Sequence, residues 1–240
     1  MTQHLLQGRQ EKEILWYQRR DVIKAAAAWV ALGGLPAAMA QQRSNIVQLT
    51  GDAMINGAPL SPQQSIQTGD AIQTGPGANL IFVIGNASFQ VRQNSRLSVE
   101  RGATLNAVSL LRLLSGAVAS VWGKGVDRSI VLPTLTAGIR GTGVYAEIFA
   151  DRGDRNYFCN CYGTVDVGAG AEKRVSQADY HQAFWADATV NPEGKFLTPA
   201  GALNHSDEEL EFLAGLVGQR TSWQVTGRKG SRDGSGSMTY

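Results

Sequence analysis

Short apolar runs separated by Gly, Asn and Asp fill the chain from Asn45 to about Val167, and helical periodicity is almost absent there. The runs are rich in β-branched and aliphatic residues and recur at roughly the 8 to 12 residue spacing of an all-β sandwich, barrel or short solenoid. Connections of turn length leave no room for crossover helices, which disfavours a parallel doubly wound sheet. The pattern predicts an all-β domain over residues 45–168, either a sandwich or a short β-solenoid.

One hairpin is predicted from its turn. The apolar run over residues 78–84 ends at Gly85-Asn86, and a second run follows over residues 87–91. A Gly-Asn pair readily takes the positive φ that a two-residue hairpin turn requires. We therefore expect two antiparallel strands joined at this pair.

The pattern changes after Gly168, where residues 169–187 are mixed in character. Residues 189–202 contain two prolines and two glycines, which predicts a loop. Residues 169–223 are thus expected to form a loop and helix extension. Beyond Trp223 the chain has almost nothing to bury, so residues 224–240 are predicted to be a disordered tail.

A C-terminal helix is predicted within the extension. Ser206 is followed three residues later by Glu209, the spacing of a capping box, and Gly218 can end the helix. Apolar residues recur at helical spacing at Leu210, Leu213, Leu216 and Val217. This stripe predicts a helix that packs on the β-domain.

Residues 1–40 have the architecture of an export signal. Arg19 and Arg20 precede an apolar run rich in Ala and Gly, and the small residues Ala38 and Ala40 suit cleavage after Ala40. The arginine pair is typical of twin-arginine export. The alternatives are an uncleaved anchor and an ordinary signal for export of the unfolded chain.

The apolar part of this signal is shorter than the roughly 20 residues that a membrane-spanning helix needs, and no second apolar stretch follows. We therefore expect a periplasmic protein without a stable membrane span after cleavage. Transport through the twin-arginine route would mean that the chain folds before it crosses.

The charge of the chain disfavours a nucleic-acid partner. Five basic and three acidic residues of the signal account for the whole net charge of +2, and the rest of the chain has no cluster of Lys and Arg.

Gly-X-Ser-X-Gly, His-Glu-X-X-His and phosphate-loop motifs are absent from the sequence. We therefore predict a protein that is not an enzyme.

Segments of the β-region resemble the FecR-domain family of exported and membrane-anchored bacterial proteins. They cover residues 51–60, 66–75, 113–118 and 133–145. Arg140-Gly141-Thr142 is the most diagnostic of their elements. At the hairpin the family usually has Asp-Gly-Ser, and Gly85-Asn86-Ala87 stands there in this chain.

The resemblance implies an all-β extracytoplasmic module used for binding or sensing. The best-known members are transmembrane regulators in which an amino-terminal cytoplasmic segment handles a sigma factor. Only 18 residues precede Arg19 here, so we do not expect this chain to have that role. Arg140 itself is expected to bond carbonyls at a corner of the chain, with an anionic ligand as the alternative.

Cys159 and Cys161 lie in a predicted strand, where alternation sends both to one face and Phe158, Asn160 and Tyr162 to the other. A disulfide across one residue is demanding, because a strand holds alternate Cα atoms near the upper bridging distance of about 7 Å. Two thiols on one face can also ligate one soft metal ion. Burial or a local disulfide is the preferred interpretation, followed by a metal or haem ligand pair and then by redox chemistry.

His181 and His205 are the other candidate ligands. Either can be ordinary packing, and His205 can cap the helix that follows it. With Cys159 and Cys161 they would complete a Cys2His2 set, although the gap of 20 residues to His181 and the further 24 to His205 match no compact zinc-finger spacing.

Two functions follow from these observations. The leading one is a non-enzymatic periplasmic binding, sensing or scaffolding module whose ligand or envelope partner is unknown. The alternative is a redox or sensor protein that holds a metal ion or haem through Cys159, Cys161, His181 and His205.

Overall fold

The computed structural model describes residues 44–103, 107–125 and 127–237. Strands dominate this part of the chain and only two short α-helices occur in it, so the all-β prediction is confirmed. The strands are β1 (Ile46–Thr50), β2 (Ala53–Ile55), β3 (Ala58–Pro59), β4 (Ala71–Thr74), β5 (Asn79–Ile84), β6 (Ala87–Val91), β7 (Arg96–Arg101), β8 (Val108–Trp122), β9 (Arg128–Leu132), β10 (Leu135–Ile139), β11 (Gly143–Phe149), β12 (Arg155–Ala169), β13 (Glu172–Ala178), β14 (Tyr180–Ala186), β15 (Leu197–Ala200) and β16 (Ser235–Gly236). The helices are α1 (Asp207–Leu216) and α2 (Ser222–Thr226), and a 3₁₀ turn covers Ala150–Arg152.

Two sheets share the long strands β8 and β12. The first half of β8 pairs with β7 and β9, and its second half pairs with β6 and β11. In turn, β12 pairs with β11 and β14 before it continues to β10 and β13. The crossings lie at Gly116 and Gly163, whose φ angles are 74° and 93°. Long strands that bend from one sheet to the other form the corners of a β-sandwich.

We call the sheet that contains β6, β11 and β14 the helix-side sheet, and the sheet that contains β7, β10 and β13 the open sheet. A first core lies between them, where Phe89 and Trp122 of the helix-side sheet share one cluster with Leu97 and Leu111 of the open sheet. A second core lies on the outer face of the helix-side sheet, beneath α1 and α2. Strand alternation produces both cores, because successive side chains of one strand point to opposite faces.

The local predictions are confirmed. Strands β5 and β6 form the expected hairpin, and Gly85 takes a φ of 59° at its turn. Ser206 and Glu209 make both hydrogen bonds of the capping box, and Leu210 and Leu213 of α1 are buried in the second core. Among the described residues, no helix is both long and apolar enough to cross a membrane.

The predictions for the end of the chain need correction. Strands β13 and β14 occupy the region of mixed pattern, and β15 lies in the predicted loop. Residues 224–237, expected to be disordered, complete α2 and form β16, which pairs with β14. Backbone pairing and ion pairs of Lys229 and Arg232 with Asp207 hold this segment, so it needs little apolar burial of its own. The predicted signal, with Arg19, Arg20, Ala38 and Ala40, lies outside the described residues.

Candidate metal centre

The structure brings together the four predicted ligands, which the sequence places far apart. Cys159 and Cys161 lie on β12, His181 lies on the neighbouring strand β14, and His205 comes two residues before α1. All four side chains are buried in the second core region, with exposures of 0% for the first three and 6% for His205. The site therefore lies between the helix-side sheet and the segment that leads into α1.

A β-bulge shapes the cysteine pair. Gly143 of β11 pairs with Tyr162 and Val144 pairs with Asn160, so Cys161 has no residue opposite it. Both cysteines and Tyr162 belong to the second core, which corrects the expectation that Tyr162 faces the other way. An extra residue in a strand resets the alternation, and bulges commonly redirect side chains next to functional sites.

Four donor atoms converge at the site. The Sγ atoms of Cys159 and Cys161 are 3.8 Å apart and unbonded to each other. Cys159 Sγ lies 3.6 Å from His181 Nδ1, and Cys161 Sγ lies 3.5 Å from His205 Nε2. His181 Nδ1 and His205 Nε2 are 3.1 Å apart, and all four atoms lie within 4.8 Å of one another.

Four of the six separations between the donor atoms are close to those around one tetrahedral ion. With zinc–sulfur bonds of about 2.3 Å and zinc–nitrogen bonds of about 2.0–2.1 Å, two sulfurs of a tetrahedron lie about 3.8 Å apart. The same geometry separates sulfur from nitrogen by about 3.5 Å and two nitrogens by about 3.3 Å. The remaining two sulfur–nitrogen pairs lie within 4.8 Å, so small side-chain movements would complete the tetrahedron around a single zinc-sized ion.

Each imidazole uses its remaining nitrogen in an outer hydrogen bond. His181 Nε2 lies 2.9 Å from Asp207 Oδ1, and His205 Nδ1 lies 2.5 Å from the carbonyl oxygen of Leu203. Both partners are acceptors, to which a protonated ring nitrogen donates, and the Arg232 guanidinium also lies 3.4 Å from His181 Nε2. His181 Nδ1 and His205 Nε2 then face each other with a cysteine sulfur beside each, and a cation bound between them would accept both lone pairs. Outer acceptors of this kind orient histidines in metal sites.

The pKa values of the two thiols are shifted in opposite directions. Burial raises the pKa of the Cys159 thiol, but a hydrogen bond from Cys161 and the nearby His205 outweigh it, and the pKa falls well below its usual range. Burial and the neighbouring Cys159 raise the pKa of Cys161. The pair therefore readily carries one negative charge, and a bound cation would favour ionisation of the second thiol.

The geometry favours a single ion over haem. Haem takes axial ligands on opposite faces of a large macrocycle, whereas these donor atoms lie within 4.8 Å of one another. A two-iron cluster with two Cys on one iron and two His on the other would separate the sulfurs from the nitrogens. In this site each sulfur has an imidazole nitrogen as a near neighbour.

Aromatic rings enclose the centre. Tyr145 stacks on His205 with ring centroids 4.6 Å apart, and Trp223 stacks on His181 at 5.3 Å. Four protein donors and a closed, buried environment are typical of a structural metal site, since a catalytic site keeps a position open for water or substrate.

Sequence reasoning missed the outer partners of the site. Asp207 lies in the first turn of α1, where an acid is ordinary, and no local pattern links it to His181. Arg140 was expected to bond carbonyls, but its guanidinium pairs with the exposed carboxylate of Asp166 at 2.5 Å. Arg140 thus pairs away from the Cys2His2 cluster, whereas the Thr142 hydroxyl donates to Asn160 Oδ1 and to the Tyr162 carbonyl, on either side of Cys161.

Comparisons with known proteins give a limited result. No family model matches the chain, and a search of curated proteins finds no significant match. Two crystal structures of a proposed anti-sigma factor from Parabacteroides distasonis ATCC 8503, at 1.65 Å and 2.50 Å resolution, are similar with TM-scores of 0.44 and 0.45 and identities of 8% and 10%. The alignments cover 62% and 64% of this chain and 65% and 66% of those chains, less than two thirds of their length. Membership of the FecR-domain family stays a prediction.

Proposed function

We propose that this protein binds one transition-metal ion through Cys159, Cys161, His181 and His205, and that zinc is the preferred ion. The observation that carries the proposal is the facing pair of imidazole nitrogens, 3.1 Å apart, with a cysteine sulfur beside each. A tetrahedral set of two sulfurs and two nitrogens suits zinc or an iron–sulfur centre, and the spacing of the donors favours the single ion.

The proposed role of the ion is structural. It would tie the segment before α1 to β12 and β14, which pair with each other through the backbone and meet that segment at the second core. Since metal binding to such a site contributes directly to folding free energy, the ion would stabilise the helix-covered face of the sandwich. Twin-arginine export would carry the folded protein with its ion to the periplasm.

The broader function that we propose is a non-enzymatic envelope module for binding, sensing or scaffolding, stabilised by this ion. Its ligand or partner would contact surfaces other than the buried centre. A pull-down from the cell envelope with the full chain as bait tests this part, and recovery of no specific partner or ligand would argue against it.

Elemental analysis of the full chain purified under reducing conditions tests metal binding. We expect one equivalent of zinc in the native protein, and loss of most of it in Cys161→Ser and in His205→Gln. Ser88→Ala is a matched control, because its buried hydroxyl donates to the Leu213 carbonyl on the same face without joining the donor set. A reduced native protein that neither contains metal nor takes up zinc or cobalt would overturn the proposal.

A further inference from the structure

Asp207 connects the candidate metal centre to the C-terminal segment. Its Oδ1 accepts from His181 Nε2 at 2.9 Å, and its Oδ2 accepts from the Tyr180 hydroxyl at 2.9 Å. The same carboxylate binds Arg232 at 2.9 Å and Lys229 at 2.8 Å. One buried carboxylate thus holds a candidate ligand on one side and two cations of the C-terminal segment on the other.

The segment also contacts the ligands through the backbone. Arg232 donates a second hydrogen bond to the carbonyl oxygen of His205. Strand β16 pairs with β14 on both sides of His181, with Gly236 opposite Tyr180 and Ser235 opposite Gln182. His181 is the unpaired residue of this irregular ladder.

His181 adopts an unusual backbone conformation, with a φ of 36°. A positive φ is uncommon for a residue other than glycine and persists where surrounding structure holds it. Here β16 fixes the residues that flank His181, while Asp207 fixes the outer edge of its ring. The first restraint is part of the docked segment of residues 228–237, and the second is linked to it because Arg232 and Lys229 bind the same carboxylate.

We propose that Asp207 is the positioning residue of the metal centre and that docking of residues 228–237 is thermodynamically coupled to metal binding. This inference rests on the proposed function. An ion bound at His181 Nδ1 would fix the imidazole ring and so keep its opposite nitrogen in contact with Asp207. Asp207 in turn keeps Arg232 and Lys229 in place.

The coupling is reciprocal. Removal of an outer partner of a metal ligand typically lowers metal affinity about 10- to 100-fold. If loss of the Arg232 contacts weakens zinc binding by such a factor, zinc must favour the docked segment by the same factor. The fraction of molecules in which residues 228–237 are docked would then depend on whether the metal ion is bound.

Hydrogen exchange of the full chain, with and without one equivalent of zinc, tests the coupling. We expect zinc to slow exchange in peptides from residues 228–237 more than in β2 or β4 of the open sheet. Zinc affinity, measured by competition with a chelator, should fall about 10- to 100-fold in Arg232→Gln. Arg174→Gln is the matched control, since its guanidinium lies on β13 beside Glu172, and it should leave the affinity unchanged.

Asp207→Asn provides a second variant with a readout specific to His181. We expect weaker cobalt binding, an altered visible spectrum of the cobalt-loaded protein and a shifted nitrogen NMR signal of the His181 ring. If zinc binds but exchange of 228–237 and the affinity of Arg232→Gln are unchanged, the coupling is overturned while the proposed function stands. If the native chain binds no zinc, the proposed function fails and the coupling fails with it.

Discussion

The sulfur atoms of Cys159 and Cys161 lie 3.8 Å apart on one side of a single strand. Strand alternation puts the pair on the face where His181 and His205 lie, so two ligands come from one element and two from its neighbours. An ion bound there would link three parts of the chain. The following expectations depend on this arrangement or on the cores around it.

Alkylation of the cysteines should depend on the metal. We expect the zinc-loaded full chain to resist a thiol reagent, and to react after a strong chelator removes the ion, because a metal-bound thiolate is a poor nucleophile. Mass spectrometry of the peptide that spans residues 156–167 measures the modification. Release by a reductant alone would indicate a disulfide, and reaction only after denaturation would indicate simple burial; either result contradicts a metal-bound pair.

Leu213 should contribute strongly to stability. Its side chain is fully buried beneath α1, so Leu213→Ala should lower the free energy of unfolding by about 2–5 kcal/mol. Phe212 on the same helix is 48% exposed, and Phe212→Ala should change the free energy of unfolding by less than about 1 kcal/mol. Denaturant unfolding of the metal-loaded proteins measures both. Equal effects of the two substitutions would mean that α1 does not dock as described.

Gly163 should be required at the bend of β12. Its φ is 93°, and a Cβ there would lie 2.9 Å from Cβ of Thr142. Gly163→Ala should therefore destabilise the protein by roughly 1–3 kcal/mol and weaken metal binding two residues away at Cys161.

Gly215→Ala is the control for this substitution. Gly215 lies in α1 and a Cβ there meets no atom within 4 Å, so alanine should stabilise the helix by about 0.5–1 kcal/mol. Thermal melts at saturating zinc, together with zinc affinities, compare the two variants. A neutral Gly163→Ala would contradict the strained bend.

Buried tyrosines should make the fold sensitive to alkali. Burial raises the pKa of Tyr145, Tyr157 and Tyr162 well above the ordinary value of about 10. In the unfolded chain these phenols ionise near pH 10, so the stability that they contribute is complete below about pH 10 and is lost as the pH rises above it.

We expect the phenolate absorbance that belongs to these three of the six tyrosines to rise in one cooperative step that coincides with the loss of the circular dichroism signal. Tyr162→Phe should be nearly neutral in stability, because its hydroxyl has no hydrogen-bond partner among the described residues. Tyr157→Phe should destabilise, since its hydroxyl bonds Gly201 and Leu203. Gradual titration near pH 10 with unchanged dichroism would show that the three phenols are accessible.

Export should depend on the arginine pair at Arg19 and Arg20. Replacement of both by Lys keeps the charge but loses the planar guanidinium groups, so the protein should accumulate in the cytoplasm. Cell fractionation measures its location. Undiminished export of the double variant would instead indicate a general secretory signal.

Features that depend on neighbouring residues could be predicted from the sequence. The Gly85 turn, the Ser206 and Glu209 capping box and the apolar stripe of α1 each follow from local backbone preference or side-chain period. The all-β class follows in the same way, because many short apolar runs each predict a strand. The identity of the four candidate ligands also follows, since few Cys and His occur in the chain.

Only the tertiary structure decided where these residues meet. His181 reaches Cys159 because β14 pairs with β12, and His205 reaches Cys161 because α1 docks on the helix-side sheet. The bulge at Cys161 and the order of residues 228–237 depend on partners in β11 and at Asp207, many residues away. The contacts that set strand register and form ion pairs are made with such distant partners. The segment that they stabilise therefore carries no periodic pattern from which they could be predicted.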